Sequence, residues 1–129
     1  MTIQERKIHD VTVVDLEGRL VNEEAADSLH AALSRLIEEG GRKLAINMKL
    51  VPAMDTTGLS EILRAYTSVT RRGGVLKLMQ LSSNVQHILM VTRLHKVLEA
   101  FDDEESAVKS LLATTISADL TARLEESTS

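Results

Sequence analysis

The chain has 129 residues, a formal net charge of −4 at pH 7 and no cysteine, and this size predicts one domain that needs neither disulfides nor metal. The negative charge argues against nucleic acid and anionic lipid as partners, because both attract a positive surface, and the missing cysteine excludes thiol nucleophiles and thiolate metal sites. Since the N-terminal sequence MTIQERKIHD is polar and no apolar run approaches the ~20 residues that span a bilayer, we expect a cytoplasmic protein without a membrane segment.

The first third of the chain predicts a hairpin and then a helix. Residues 2 to 8 and 11 to 16 are β-prone runs, and the polar pair His9-Asp10 between them suits a tight turn. Asn22 can cap a helix whose apolar positions recur every three or four residues, and two glycines at 40 and 41 end it.

Strands and helices alternate in the rest of the chain. KLAIN (43–47) and VLKLM (75–79) are short apolar runs typical of buried strands, and the segment between them has helical periodicity that ends at Arg72-Gly73-Gly74. Ser82 or Ser83 can cap a third helix. The acidic run from residue 102 to 105 opens a last helix, whose predicted apolar face consists of Ala107, Val108, Leu111 and Leu112.

Helix-length connections between strands imply parallel pairing. The sequence therefore predicts one α/β domain over residues 1–112. It would contain a mixed, mostly parallel sheet of four to five strands with an N-terminal hairpin, packed with about four helices. Residues 113–129 are rich in Thr, Ser and Ala, and we expect them to form a frayed tail or a short helix that binds a partner or a second copy.

The stretch VPAMDTTGLSEIL (51–63) places an acid and two hydroxyls between a strand and a helix. Backbone amides lack partners at a helix start, and one of Asp55, Thr56 or Thr57 would be enough to cap them. Three such residues in succession exceed what capping requires. Because open α/β sheets carry their sites beyond the carboxyl ends of strands, and a helix N-terminus suits an anion, a threonine here could accept a phosphoryl group.

Met54-Asp55-Thr56-Thr57-Gly58-Leu59 resembles the acid-hydroxyl-hydroxyl-glycine-leucine motif of STAS domains, a family that includes the bacterial anti-sigma factor antagonists. The resemblance covers roughly residues 2 to 112 in matching order. It extends to three further segments, Gly18-Arg19-Leu20, Arg72-Gly73-Gly74 with Leu76-Lys77-Leu78, and Phe101-Asp102-Asp103-Glu104.

The resemblance implies regulation of transcription by partner switching. A dephosphorylated antagonist binds an anti-sigma factor, often a serine/threonine kinase, and a phosphatase restores this form after phosphorylation has broken the complex. Thr56 matches the acceptor, with Thr57 as the less favoured alternative; Asp55 would orient the acceptor, and the Thr57 hydroxyl would help to cap the helix. The implied partner-binding surface is Met54, Asp55, Thr56, Thr57, Gly58, Leu59 and Ser60.

Three alternatives remain open from the sequence. In a receiver domain the phosphorylated aspartate would fall at Met48. This chain also has no acidic pair at the end of the first strand region to bind magnesium. An enzyme is disfavoured because the four histidines show neither metal-ligand spacing nor an evident catalytic partner, and we expect no cofactor. Since threonine acceptors occur in STAS proteins of stressosome-type complexes, the chain could instead be a scaffold subunit or a homodimer.

Overall fold

The computed structural model describes residues 1–114, so residues 115–129 of the predicted tail lie outside the described residues. The strands are β1 (Thr2–Ile8), β2 (Val11–Glu17), β3 (Lys43–Leu50), β4 (Val75–Met79) and β5 (Ala100–Phe101). The helices are α1 (Glu23–Glu38), α2 (Thr56–Arg71), α3 (Ser83–Val91) and α4 (Glu104–Ala113), with a 3₁₀ turn at Leu94–Lys96.

The five strands form one sheet in the order β1-β2-β3-β4-β5. β1 pairs with β2 antiparallel, and the three other pairs are parallel. The predicted N-terminal hairpin and the mixed, mostly parallel sheet with about four helices are confirmed. The turn of the hairpin lies at His9 and Asp10, where the φ of His9 is 55°.

Both faces of the sheet are covered, because successive side chains of a strand point to opposite faces. On one face, Val14, Leu44, Ile46 and Leu78 pack with the buried sides of α1, α2 and α3. On the other face, α4 packs against Val11, Val13, Ala45 and Met79. The carboxyl ends of β3 and β4 are joined to the starts of α2 and α3 by the short connections 51–55 and 80–82.

Two details differ from the sequence prediction. β3 continues three residues beyond the predicted Asn47, because its end pairs with the end of β2 after an irregularity in register. On α4, Ala107, Val108 and Leu111 are buried as predicted, but Leu112 is 40% exposed. Leu112 therefore does not belong to the packed face of that helix.

Candidate functional site

Asp55 is the N-cap of α2. Its backbone is extended, with φ −112° and ψ −172°, and its Oδ1 accepts hydrogen bonds from the amides of Thr57 (3.0 Å) and Gly58 (3.3 Å). One carboxylate thus satisfies two of the amides that lack an intrahelical partner. The prediction that the Thr57 hydroxyl helps to cap the helix is wrong, because Thr57 lies inside the first turn and supplies one of the amides that need the cap.

The loop before α2 runs beside Leu20, which lies far away in the sequence. The Leu20 amide donates to the Ala53 carbonyl (2.9 Å), and the Asp55 amide donates to the Leu20 carbonyl (3.2 Å). Leu20 and Met54 thereby form an isolated parallel bridge. The Gly18-Arg19-Leu20 motif and the acid-hydroxyl motif, separate in the sequence, are parts of one site.

Gly58 allows α2 to approach Leu20 closely. A Cβ added at Gly58 would lie 2.3 Å from Leu20 Cγ and 2.6 Å from the Leu20 carbonyl oxygen. Neither distance leaves room for a side chain, so the glycine of the motif is required by packing. This close approach fixes the first turn of α2 relative to the end of β2.

The start of α3 holds the same loop from the other side. Asn84 Oδ1 accepts a hydrogen bond from the Met54 amide (3.1 Å), and the Ser82 hydroxyl donates to the Pro52 carbonyl (3.4 Å). Ser82 also caps α3 by accepting from the Val85 amide. Sequence reasoning found the cap but missed Asn84, because its contact spans 30 positions of the chain and has no local signal.

Only part of the predicted partner-binding surface is accessible. Thr56, Thr57 and Ser60 are exposed and Asp55 is partly exposed, so these four form an exposed patch at the start of α2. The Ser60 hydroxyl donates to the Thr56 carbonyl (2.7 Å). The prediction is corrected for three residues that are buried in the fold and so offer almost no surface to a partner: Met54, Gly58 and Leu59.

Residues 1–114 contain no group of three or more histidine, aspartate or glutamate side chains that could hold a metal ion. No helix in this part of the chain is both long enough and apolar enough to cross a bilayer.

The fold and this site define a class of protein. The STAS domain family model matches residues 2–107, and the chain belongs to the STAS domain family. The receiver-domain alternative is thereby excluded.

Individual relatives agree with this assignment. The anti-sigma F factor antagonist of Paenibacillus polymyxa is 24% identical over 102 residues, which cover 78% of this chain and 86% of that protein. The prediction that the chain is not an enzyme agrees with this relative, since an anti-sigma factor antagonist is a regulatory protein.

Solved structures show the same fold. The anti-sigma factor antagonist from Mycobacterium paratuberculosis superposes with a TM-score of 0.78 at 16% identity, over 85% of this chain and 92% of that one. The phosphorylated form of the Bacillus cell fate determinant SpoIIAA superposes with a TM-score of 0.68 at 20% identity, over 84% of this chain and 98% of that one. At these identities the likeness establishes the fold alone.

Proposed function

We propose that this protein is an anti-sigma factor antagonist that works by phosphorylation-controlled partner switching in the cytoplasm. When Thr56 is unmodified, the protein binds a kinase-type anti-sigma factor and so frees a sigma factor. Phosphorylation of Thr56 breaks the complex, and a phosphatase restores it. The observation that carries the proposal is the exposed hydroxyl-bearing patch around Thr56, directly after the capping Asp55.

The surroundings of Thr56 support a switch that leaves the fold unchanged. The loop before α2 is held by Leu20 on one side and by Asn84 on the other. The amides of Thr57 and Gly58 are already bonded to Asp55, so a phosphate on Thr56 finds no free partner in them. The phosphate would therefore stay at the surface, where a partner meets it.

Magnitudes indicate how the phosphate acts. Changing a population from 1:99 to 99:1 needs ~5.5 kcal/mol of differential affinity, whereas a charge near a helix terminus contributes only ~0.3–1 kcal/mol. The helix dipole is too weak to be the switch. The larger effect is desolvation of the phosphate and like-charge repulsion within the partner interface.

The test is site-mapped mass spectrometry of the protein purified from its own cells, with the co-purifying proteins identified in the same sample. We expect phosphate on Thr56 and a kinase-like anti-sigma factor retained only by the unmodified form. Unmodified Thr56 in complexes that persist under all growth conditions would contradict partner switching. That result would favour a scaffold subunit or a homodimer. In that case the size of the particle measured by light scattering should increase with protein concentration.

Variants separate the hydroxyls of the patch. Thr56→Glu should weaken binding of the isolated anti-sigma factor at least about tenfold, since a negative charge would enter the interface. Thr56→Ala should bind but resist release by kinase and ATP. Ser60→Ala is the matched control, because it removes a neighbouring exposed hydroxyl and should be released normally. If kinase and ATP released Thr56→Ala from the anti-sigma factor but did not release Thr57→Ala, the phosphate acceptor would be Thr57.

A further inference from the structure

One stripe of α2 joins the candidate phosphorylation site to a basic surface. Thr56, Ser60, Leu63, Thr67 and Arg71 follow one another at intervals of three or four residues and so share a face of the helix. We call these five residues the α2 stripe. Leu63 is partly exposed and the other four are exposed.

A surface cleft of about 510 Å³ lies along the stripe from Ser60 to Arg71. Leu63 is the apolar member of its lining, hydroxyls come from the stripe and from Ser68, and guanidinium groups come from Arg64, Arg71 and Arg72. With a rise of 1.5 Å per residue, the cleft follows the helix for about 16 Å. This length suits a short segment of another protein.

The charges along the stripe are positive and incompletely neutralised. The one acidic residue of α2 is Glu61, whose side chain is 12% exposed and is engaged by His30 (2.9 Å) and Arg64 (3.5 Å). Arg72 is paired with Glu38 (3.0 Å), and Arg71 has no carboxylate within ion-pair distance among residues 1–114. This face is thus basic on a chain whose formal net charge is −4.

We infer that the α2 stripe, with the flanking Arg64, binds an acidic amphipathic helix of the partner protein. Carboxylates of that helix would pair with Arg64 and Arg71, because guanidinium groups bind carboxylates in a bidentate geometry. Its apolar side chains would contact Leu63, as in other helix-in-groove complexes. The inference rests on the proposed function, because the same face carries Thr56.

A protein helix fits this surface better than nucleic acid does. Leu63 in the lining of the cleft offers an apolar contact that a phosphate backbone does not use. The basic surface is also short, whereas duplex binding usually engages many phosphates along an extended positive surface. An acidic partner that also contacts the start of the α2 stripe would be repelled by a phosphate on Thr56, because the phosphate lies on the same face of the helix.

The test uses the full chain and a fluorescein-labelled peptide of 16 residues, the length of α2. The peptide is built from Leu, Glu and Ala, with Leu on one face and Glu on both flanks. A second peptide replaces each Glu with Lys, and a labelled DNA duplex serves as the nucleic-acid probe. Fluorescence anisotropy gives each Kd, at about 50 and 200 mM salt.

We expect the Glu peptide to bind the wild-type chain, and R64E/R71E to weaken this binding at least about tenfold. The matched control is K7E/K96E, which makes the same change in net charge at exposed positions outside α2 and should bind like wild type. Circular dichroism and thermal unfolding show whether each variant is folded.

Three results would overturn the inference: equal affinity of all three chains for the Glu peptide, no binding by the wild type, or tighter binding of the duplex than of the Glu peptide. The assay contains no anti-sigma factor, so its failure leaves the proposed function standing. Conversely, an anti-sigma factor that binds Thr56→Glu at wild-type affinity would remove the proposed function without changing the peptide result.

Discussion

Leu20 contributes to the candidate site with its backbone and with its side chain. Its amide and carbonyl bond to the loop that leads into α2, and its side chain occupies the space that a Cβ at Gly58 would need. The position of Thr56 on the surface is thus set by a residue 36 positions earlier in the chain. A close backbone approach of this kind leaves glycine as the residue that fits.

Gly58→Ala should destabilise the protein. In an ordinary exposed helix this change stabilises by ~0.5–1 kcal/mol through helix propensity, whereas here the new Cβ would overlap Leu20 at 2.3 Å. Overpacking of this kind costs about 1–3 kcal/mol. Urea unfolding measures the effect, and Thr67→Ala at an exposed position of α2 is the control, with a change within about 0.5 kcal/mol. A stabilised Gly58→Ala variant would show that α2 does not pack on Leu20 in this way.

Asp55→Ala should lower the free energy of unfolding by about 1 kcal/mol, because the amides of Thr57 and Gly58 would lose their acceptor. Asp55→Asn keeps a side-chain oxygen that can accept these bonds, so it should lower the free energy of unfolding by only a few tenths of about 1 kcal/mol. Thr57→Ala tests whether the Thr57 hydroxyl acts as a cap. We expect it to leave the free energy of unfolding, measured by chemical denaturation, almost unchanged. If Thr57→Ala cost as much as Asp55→Ala, the hydroxyl would have to take part in capping.

At the scale of elements, sequence patterns predicted the strand bounds and helix caps that depend on residues close together in the chain. β4 has the predicted bounds at 75–79, and Asn22 caps α1 through its side-chain oxygen, which accepts from the Ala25 amide. The extension of β3 and the two-residue β5 depend on pairing with strands elsewhere in the chain. The same limit applies to the site, since the sequence located its motif but contained no signal for the contact from Asn84 or for the burial of Met54.

The N-terminal hairpin carries an ion pair that should make stability depend on pH. Arg6 bonds Asp15 on β2 (2.6 and 2.9 Å) and also Glu104 at the start of α4. The hydrogen bond from Arg6 holds the pKa of Asp15 below its usual range, with a smaller contribution from Asn47 against the opposing effect of burial. A depressed native pKa stabilises the fold above the unfolded pKa of about 3.9, and this contribution is lost as the pH falls through the native value.

Asp15→Asn should therefore reduce stability by up to about 1 kcal/mol at pH 7, because the pair is partly exposed. Its deficit relative to wild type should shrink as the pH falls below about 4, where the native carboxylate also becomes protonated. Urea unfolding at several pH values measures this. The control is Glu105→Gln at an exposed position of α4. A deficit that stays constant between pH 7 and pH 3 would mean that the ion pair does not cause it.

At the scale of the whole molecule, two hydrophobic clusters hold the fold together, and within residues 1–114 their buried members run from Val11 to Leu111. The domain boundary near residue 112 stays a prediction, and its basis is that Leu111 is the last buried apolar residue within residues 1–114. Within this described part of the chain, α4 is the last element that adds buried apolar side chains, through Ala107, Val108 and Leu111.

A chain that ends after Thr114 should keep the melting temperature of the full chain within about 2 °C. A chain that ends after Asp102 lacks α4 and should lose on the order of 3–5 kcal/mol, since Val11, Val13 and Met79 become exposed. Differential scanning calorimetry compares the three chains. A drop of more than about 5 °C on removing residues 115–129 would show that the tail contributes to the stability of the fold.

The strand order β1-β2-β3-β4-β5 is also the order in which a ribosome makes the strands. Each new strand finds its neighbour already synthesised, so no strand has to wait for a distant one before its ladder can form. Loop closure never spans more than one connecting segment, which limits the entropy lost at each step. The sheet can therefore grow from its hairpin toward β5 while the chain is still being translated.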